Sequence, residues 1–256
     1  MAFKSIKKDK KLSKDIESLF RDLKTKGVES LYSHQADIIR DYQQNAIDDK
    51  NVAIELPTGS GKTLIGLLIS EFKRQTFNKK VVYLCPTRQL VNQVAELATD
   101  SYGIEAIPFV GRKSDYTAED KTKYNNAEAI AVTTYSSLFN TSPYFNDPDV
   151  IVIDDAHASE NYVSTNWSLQ INRSEHLEIY KDIIGFFRKF INENNYQRLM
   201  DDNVDPLDKK SIYLLPNYTL HDDISNLVNL IDIAVEDTSL RYRWSLIKGR
   251  LFACNI

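Results

Sequence analysis

The stretch Val52-Ala53-Ile54-Glu55-Leu56-Pro57-Thr58-Gly59-Ser60-Gly61-Lys62-Thr63 runs from an apolar strand, through a turn bearing two glycines, into a helix marked by Leu64, Leu67 and Leu68. Gly59 and Gly61 let main-chain N–H groups approach phosphate oxygens without a Cβ in the way, and the helix start adds free N–H groups and a positive dipole end. With Thr58 and Ser60 in the same turn, Lys62 can reach the β- and γ-phosphates and the Thr63 hydroxyl can hold Mg²⁺. The strict phosphate-loop pattern asks for a glycine five residues before Gly61, where Leu56 stands.

A phosphate loop needs an acidic anchor for its metal at the end of a neighbouring strand. Val150-Ile151-Val152-Ile153 is a nearly continuous apolar run that leads into Asp154-Asp155-Ala156-His157. Asp154 is the natural carboxylate on the Mg²⁺ side, and Asp155 beside it can orient or deprotonate an attacking water.

Around these two motifs, short apolar runs alternate with helical periods. The expectation is strands over 52–56, 81–85, 104–109, 129–133 and 150–153, with helices over 62–75 and 88–99. Such alternation means an α/β fold with a mainly parallel sheet flanked by helices, whose ligands sit beyond the carboxyl ends of the strands. Upstream, Ile16, Leu19, Phe20 and Leu23 recur at helical spacing before Gly27, and a second helical pattern opens at Ser33 and runs to Tyr42. The first reads as a packing helix, and the second ends in the polar turn Asp48-Asp49-Lys50-Asn51. Beyond about Ser159 the period becomes helical over 174–196 and 222–253, with Pro206 and Pro216 between, which predicts a helical elaboration.

Composition narrows the function classes. The chain has 256 residues, 42% hydrophobic and 27% charged, so it can build a real core and is not disordered. The net charge of −4 lacks the excess of a small basic nucleic-acid module. Residues 1–26 carry nine Lys/Arg against four acids, leaving −9 on the remainder, so any nucleic-acid contact is local. Cys85 and Cys254 form no metal-ligand spacing and read as reduced thiols of a cytoplasmic protein. No apolar run has the length of a membrane span or signal segment, and no metalloprotease, paired-cysteine or nucleophile-elbow motif occurs.

In order along the chain these motifs resemble the first RecA-like domain of superfamily-two DEAD/DEAH-type helicases and translocases. Leu31-Tyr32-Ser33-His34-Gln35 resembles the family's glutamine-bearing segment, which implies that Gln35 reads adenine, and LPTGSGKT over 56–63 is a common form of its phosphate loop. Pro86-Thr87-Arg88-Gln89-Leu90 and Val132-Thr133-Thr134-Tyr135 resemble motifs Ia and Ib, which implies contacts from Thr87, Arg88, Thr133 and Thr134 to a nucleic-acid backbone. Hydroxyls and one Arg suit phosphates and carry no base information. Asp154-Asp155-Ala156-His157 corresponds to motif II, with Asp155 where the family has Glu and His157 linking nucleotide and strand sites.

The resemblance implies ATP and Mg²⁺ as cofactors and three regions: a basic segment and helix over 1–29, a RecA-like core over 30–158, and a helical insertion over 159–256. Neither the family's Ser-Ala-Thr motif nor a second RecA-like domain follows His157. The expectation is therefore the front portion of a larger motor, an ATP hydrolase weakly active alone, with DNA favoured over RNA. A nucleotide-gated module docking a protein partner through the helical region, and a freestanding P-loop ATPase, remain as alternatives. In the helical region, Leu240, Trp244, Ile247 and Leu251 are expected on one packed face, with Arg241, Arg243, Lys248 and Arg250 on the others.

Overall fold

The computed structural model describes residues 13–23, 27–201 and 222–253. Lys4, Lys7, Lys8, Lys10, Lys11, Lys24 and Lys26 of the basic segment, together with Pro206, Pro216 and Cys254, lie outside the described residues. The chain divides into two compact units, Met1–Glu160 and Asn161–Ile256.

In the first unit, α1 (Ile16–Asp22) and α2 (Ser33–Asp41) precede the phosphate-loop turn. There follow α3 (Lys62–Phe77), β1 (Val81–Cys85), α4 (Arg88–Glu96), β2 (Ala106–Phe109), α5 (Ala118–Asn125), β3 (Ile130–Thr134), the single turn α6 (Tyr135–Leu138), β4 (Val150–Ile153) and the start of α7 (Ala156–Asn166), which continues past the boundary at Glu160. The helix starts are chemically marked: Asp15, Thr87 and Thr117 each accept a hydrogen bond from the main-chain N–H three residues on. Two helical periods end in π turns, Tyr42–Ala46 after α2 and Leu97–Ser101 after α4, where the α-helical ladder gives way.

The four strands form one all-parallel sheet in the order β2-β3-β1-β4. All five residues of β1 are buried, as a central strand covered on both faces must be. Ile16, Leu19 and Phe20 of α1, Leu64, Leu67 and Leu68 of α3, Val91 and Val94 of α4, and Tyr83 of β1 share one core. A second cluster of rings, Phe109, Tyr116, Tyr124, Tyr144 and Phe145, packs largely edge-to-face around the end of β2.

Two expectations are corrected here. The run Val52–Leu56 is not a strand: it joins no ladder, and Val52 and Ile54 are 43% and 38% exposed. An extended segment is a strand only where a neighbour completes its main-chain hydrogen bonds, and apolar composition alone does not supply one. Conversely, β4 is an edge strand, with β1 on one side only. Ile151 and Ile153 consequently stay 46% and 39% exposed, although the run VIVI predicts burial on both faces.

One charged pair lies inside the first unit. Arg74 on α3 is 5% exposed and donates from Nε and Nη2 to the two carboxylate oxygens of Glu71, both at 2.7 Å. Its Nη1 donates to the Ala127 carbonyl at 2.8 Å, at a residue held at φ 54 in the turn before β3. Gln75 adds a further donor to the same carboxylate. Every charge in this cluster is matched, the condition under which buried ions are tolerated.

The second unit contains α8 (Leu177–Phe187), α9 (Glu193–Met200), α10 (Ile224–Val235) and α11 (Arg241–Ile247), closed by a 3-10 segment over Lys248–Ala253. Leu240, Trp244, Ile247 and Leu251 are all buried in its core with Leu227, Ile231 and Val235. They do not share one helix, because α11 ends at Ile247 and Leu251 belongs to the 3-10 segment. Two of the neighbouring cations are engaged locally: Lys248 pairs with Asp232, which also accepts from Trp244 Nε1 at 2.6 Å, and the Arg250 guanidinium lies 4.8 Å from the Trp167 ring centre. Among the described residues no helix is long and apolar enough to cross a membrane.

The Glu71–Arg74 cluster yields a stability test. Arg74→Ala leaves a buried carboxylate unpaired and is expected to cost about 3–5 kcal/mol in urea unfolding, whereas replacing both residues with apolar side chains of similar volume should recover most of that loss. A single variant no less stable than the double one would contradict the assignment.

Candidate functional site

Because the sheet is parallel, the carboxyl ends of β1, β3 and β4 lie along one edge. Cys85 pairs with Thr134 and Leu84 with Ile153, and the Asp154 N–H donates to the Leu84 carbonyl at 3.0 Å. Thr87, Thr134 and Asp154 therefore leave the sheet side by side.

The turn before α3 has the shape that its glycines predict. Gly59 and Gly61 take φ values of +80° and +86°, the left-handed region where a side chain would be strained. At Gly59 no protein atom lies within 4 Å of the position a Cβ would occupy, so the main chain is open to a ligand. At Gly61 that position lies 2.3 Å from Gln35 Nε2, so a side chain there would displace the Gln35 amide as well as strain the left-handed backbone. Gly61 stands at the N-cap of α3 without a side-chain cap, leaving the first amides of the helix for another acceptor. Ser60 closes the turn by donating from its hydroxyl to the Pro57 carbonyl at 2.6 Å. Thr58 and Lys62 are exposed, and the Lys62 ammonium has no hydrogen-bond or ion-pair partner among the described residues.

Gln35, expected to read adenine, is bound into this turn. It is 4% exposed; its Nε2 donates to the Ser60 carbonyl at 2.8 Å and its Oε1 accepts from the Tyr32 N–H at 3.1 Å. His34 Nε2 lies 3.2 Å from the same Ser60 oxygen. One amide hydrogen of Gln35 remains for a ligand. The residue therefore braces the loop from α2.

On the acidic side, Asp154 is half-buried and accepts a hydrogen bond at 2.5 Å from the Tyr83 phenol, which is 1% exposed. The Thr63 side chain also lies near this phenol, where it acts to lower the phenol's proton affinity. Thr63 and Asp154, 91 positions apart in the sequence, thus come near the same side chain. Burial, then the negative charge of Asp154, pushes the Tyr83 phenol far above its ordinary value, so it stays a proton donor. Burial pushes the Cys85 thiol up to about 12, which leaves it an inert thiol at the strand end.

Asp155 has a second occupation. Its Oδ1 accepts from the Ala158 N–H at 3.1 Å, capping α7, and its main-chain carbonyl accepts from the Tyr135 hydroxyl at 2.8 Å. Its other carboxylate oxygen has no partner among the described residues, and the residue is exposed. His157 is exposed on the first turn of α7.

Of the four residues expected on a nucleic-acid backbone, three reach the surface and one does not. Thr87 caps α4, accepting from the Leu90 N–H at 3.2 Å, and Arg88 beside it is exposed. Thr134 is half-buried, with its hydroxyl 2.9 Å from that of Ser136. Thr133 is the correction: it is wholly buried and donates to the Phe109 carbonyl at 2.7 Å, tying β3 to β2. Alternation along β3 turns only one of two adjacent threonines outward, which a motif match cannot tell apart.

The side chains present fit a magnesium nucleotide. Free helix amides, an open glycine backbone and an uncommitted ammonium suit phosphate oxygens. One hydroxyl and one carboxylate are too few to cage a cation, but Mg²⁺ is commonly held by one or two carboxylates together with the substrate's own phosphates. Sequence reading missed Tyr83 and Tyr135, whose hydroxyls hold the two aspartates. The available signal for Tyr83 was Gly66, an otherwise costly glycine inside α3: a Cβ there would sit 3.0 Å from the Tyr83 ring and 3.1 Å from its hydroxyl.

The family profile described as type III restriction enzyme, res subunit, matches residues 29–205. The ATP-dependent DNA helicase Hel308 of Thermococcus kodakarensis is 26% identical over 148 residues, 57% of this chain and 13% of that protein. The ATP-dependent DNA helicase MPH1 of Pyricularia oryzae is 30% identical over 165 residues, 59% of this chain and 13% of that protein. The chain therefore spans about an eighth of the length of these relatives. Among solved structures, the UvsW helicase of bacteriophage T4 aligns at a TM-score of 0.41 and 20% identity, over 56% of this chain and 51% of that one.

The cap on α7 separates the two occupations of Asp155. Asp155→Asn keeps a good N-cap and should leave urea stability nearly unchanged, whereas Asp155→Ala is expected to cost about 1 kcal/mol. Equal losses in the two variants would show that the carboxylate does not cap the helix.

Proposed function

The chain belongs to the family described as type III restriction enzyme, res subunit, the N-terminal RecA-like domain of superfamily-two helicases, and on that premise we propose that it is the ATP-binding half of a nucleic-acid motor. Residues 30–158 are the motor core in this reading and 159–256 a helical insertion. The amides of the Gly59–Thr63 turn and Lys62 hold the phosphates, while Thr63 and Asp154 hold Mg²⁺, which lowers the cost of charge developing on the transferred phosphoryl group. Asp155 orients the attacking water through the oxygen that α7 does not use. Gln35 offers its remaining amide hydrogen to the purine.

The observation that carries this reading is the open, uncapped glycine turn that begins α3, in a unit whose Asp154 stands at the carboxyl edge of a parallel sheet, the place where such sheets bind their ligands. Thr87, Arg88 and Thr134 on the same edge supply hydroxyls and one guanidinium for a sugar-phosphate backbone, with no base-reading group among them. The two relatives compared above are both named DNA helicases, which favours DNA over RNA. Completion of the site by a second RecA-like domain belongs to the same proposal, as does a cytoplasmic location with Cys85 kept as a thiol.

Calorimetry with a non-hydrolysable ATP analogue and Mg²⁺ is expected to show binding by the chain, weakened at least tenfold in Lys62→Ala. Slow hydrolysis should rise with single-stranded DNA more than with RNA, and the DNA affinity should fall steeply with added salt. Adenine nucleotides that give no heat and no hydrolysis would remove this function.

A further inference from the structure

Tyr83 belongs to no motif used above, yet its hydroxyl donates to the metal-side carboxylate Asp154. We propose that Tyr83 is a positioning residue for the magnesium nucleotide, its phenol fixing the Asp154 carboxylate in place before the ligand arrives. This rests on the function proposed above and adds to it a residue and the means by which it acts.

The geometry is specific. Tyr83 sits on β1 with Val132 on one side and Val152 on the other, so its Cα is set by two ladders. The ring lies under α3 in the space that Gly66 leaves open, 1% exposed, and its hydroxyl donates to Asp154 Oδ1 at 2.5 Å. A hydroxyl has one proton to give and two lone pairs to accept with. With its proton directed at Asp154, the phenol engages one lone pair of Oδ1, which limits rotation of the carboxylate and leaves Oδ2 free of this bond. Orienting partners of this kind are the ordinary means by which proteins tune a metal ligand without touching the metal.

Gly66 is the independent support. A glycine inside a 16-residue helix weakens it relative to alanine. Here the absent Cβ is what admits the ring edge and hydroxyl, so the loss in helix propensity secures the place of the phenol.

The test separates metal from nucleotide. The chain, Tyr83→Phe and Gly66→Ala are titrated calorimetrically with a non-hydrolysable ATP analogue, first with chelator and then over a Mg²⁺ series. Tyr83→Phe removes one oxygen and keeps the ring. Its affinity without metal is expected to stay within twofold of the parent, while the Mg²⁺ concentration that gives half of the metal-dependent gain rises about tenfold. Gly66→Ala, which displaces the ring by a few tenths of an ångström, should raise it in the same direction by less, and carries the test alone if Tyr83→Phe does not fold. An unchanged or lowered Mg²⁺ requirement in a folded variant, beside a parent that binds the magnesium nucleotide, overturns the positioning role and leaves the function standing. A parent that binds no adenine nucleotide overturns both. A uniform loss with and without metal assigns Tyr83 to packing and rejects the proposal.

Discussion

The parallel pairing of β1 with β3 on one side and β4 on the other fixes where every side chain of the site can stand, because parallel strands bring their carboxyl ends to one edge in register. Tyr83 is opposite both Val132 and Val152, and from that rung the chain leaves the sheet within three residues on each strand. A slip of one residue in β4 would turn Asp154 to the opposite face of the sheet and break its bond to Tyr83. The full burial of β1 and the apolar residues of β3 hold this register against such a slip.

The phosphate turn depends on the sheet less directly, since the segment before it joins no ladder. Its support comes from elsewhere: Leu56 is buried in the core, α3 is packed along one side, and Gln35 and His34 converge on the Ser60 carbonyl from α2. Two left-handed glycines make the loop cheap to form. The Gln35 amide restrains its conformation by donating to the Ser60 carbonyl at 2.8 Å. The loop is thus braced by a helix that ends some 20 residues earlier in the sequence.

Legibility in the sequence follows from how local the determining physics is. The helices α3 and α4, the strand β4 and the glycine turn were readable because propensity, caps and apolar period act over a few residues; β4 was placed at its observed bounds. The absence of a strand at 52–56 and the edge position of β4 were not, since both depend on which neighbours arrive in space. The same division holds at the site. Lys62, Thr63 and Asp154 were singled out by chemistry at fixed spacing, whereas the burial of Thr133, the use of Gln35 as a brace and the hydrogen bond from Tyr83 to Asp154 are set by contacts across 24 to 71 positions. A glycine interrupting an otherwise apolar helix, as at Gly66, is the one local mark that such a contact leaves behind.

Asp155 shows how a residue can be constrained by more than its chemistry. Its carboxylate caps α7, its carbonyl accepts from Tyr135 at the start of α6, and its neighbour Asp154 is held by Tyr83. A single hydrogen bond is worth about 0.5–1.5 kcal/mol net between neutral groups and about 1.5–3 kcal/mol to a charged carboxylate, so one alone holds a strand end less firmly than several. Three of them, from β1, α6 and α7, bear on two consecutive residues and together make their placement stiff. Aspartate is also the better cap, since the longer glutamate side chain is not among the favoured N-cap residues. The shorter acid at position 155 is therefore matched to the helix it begins.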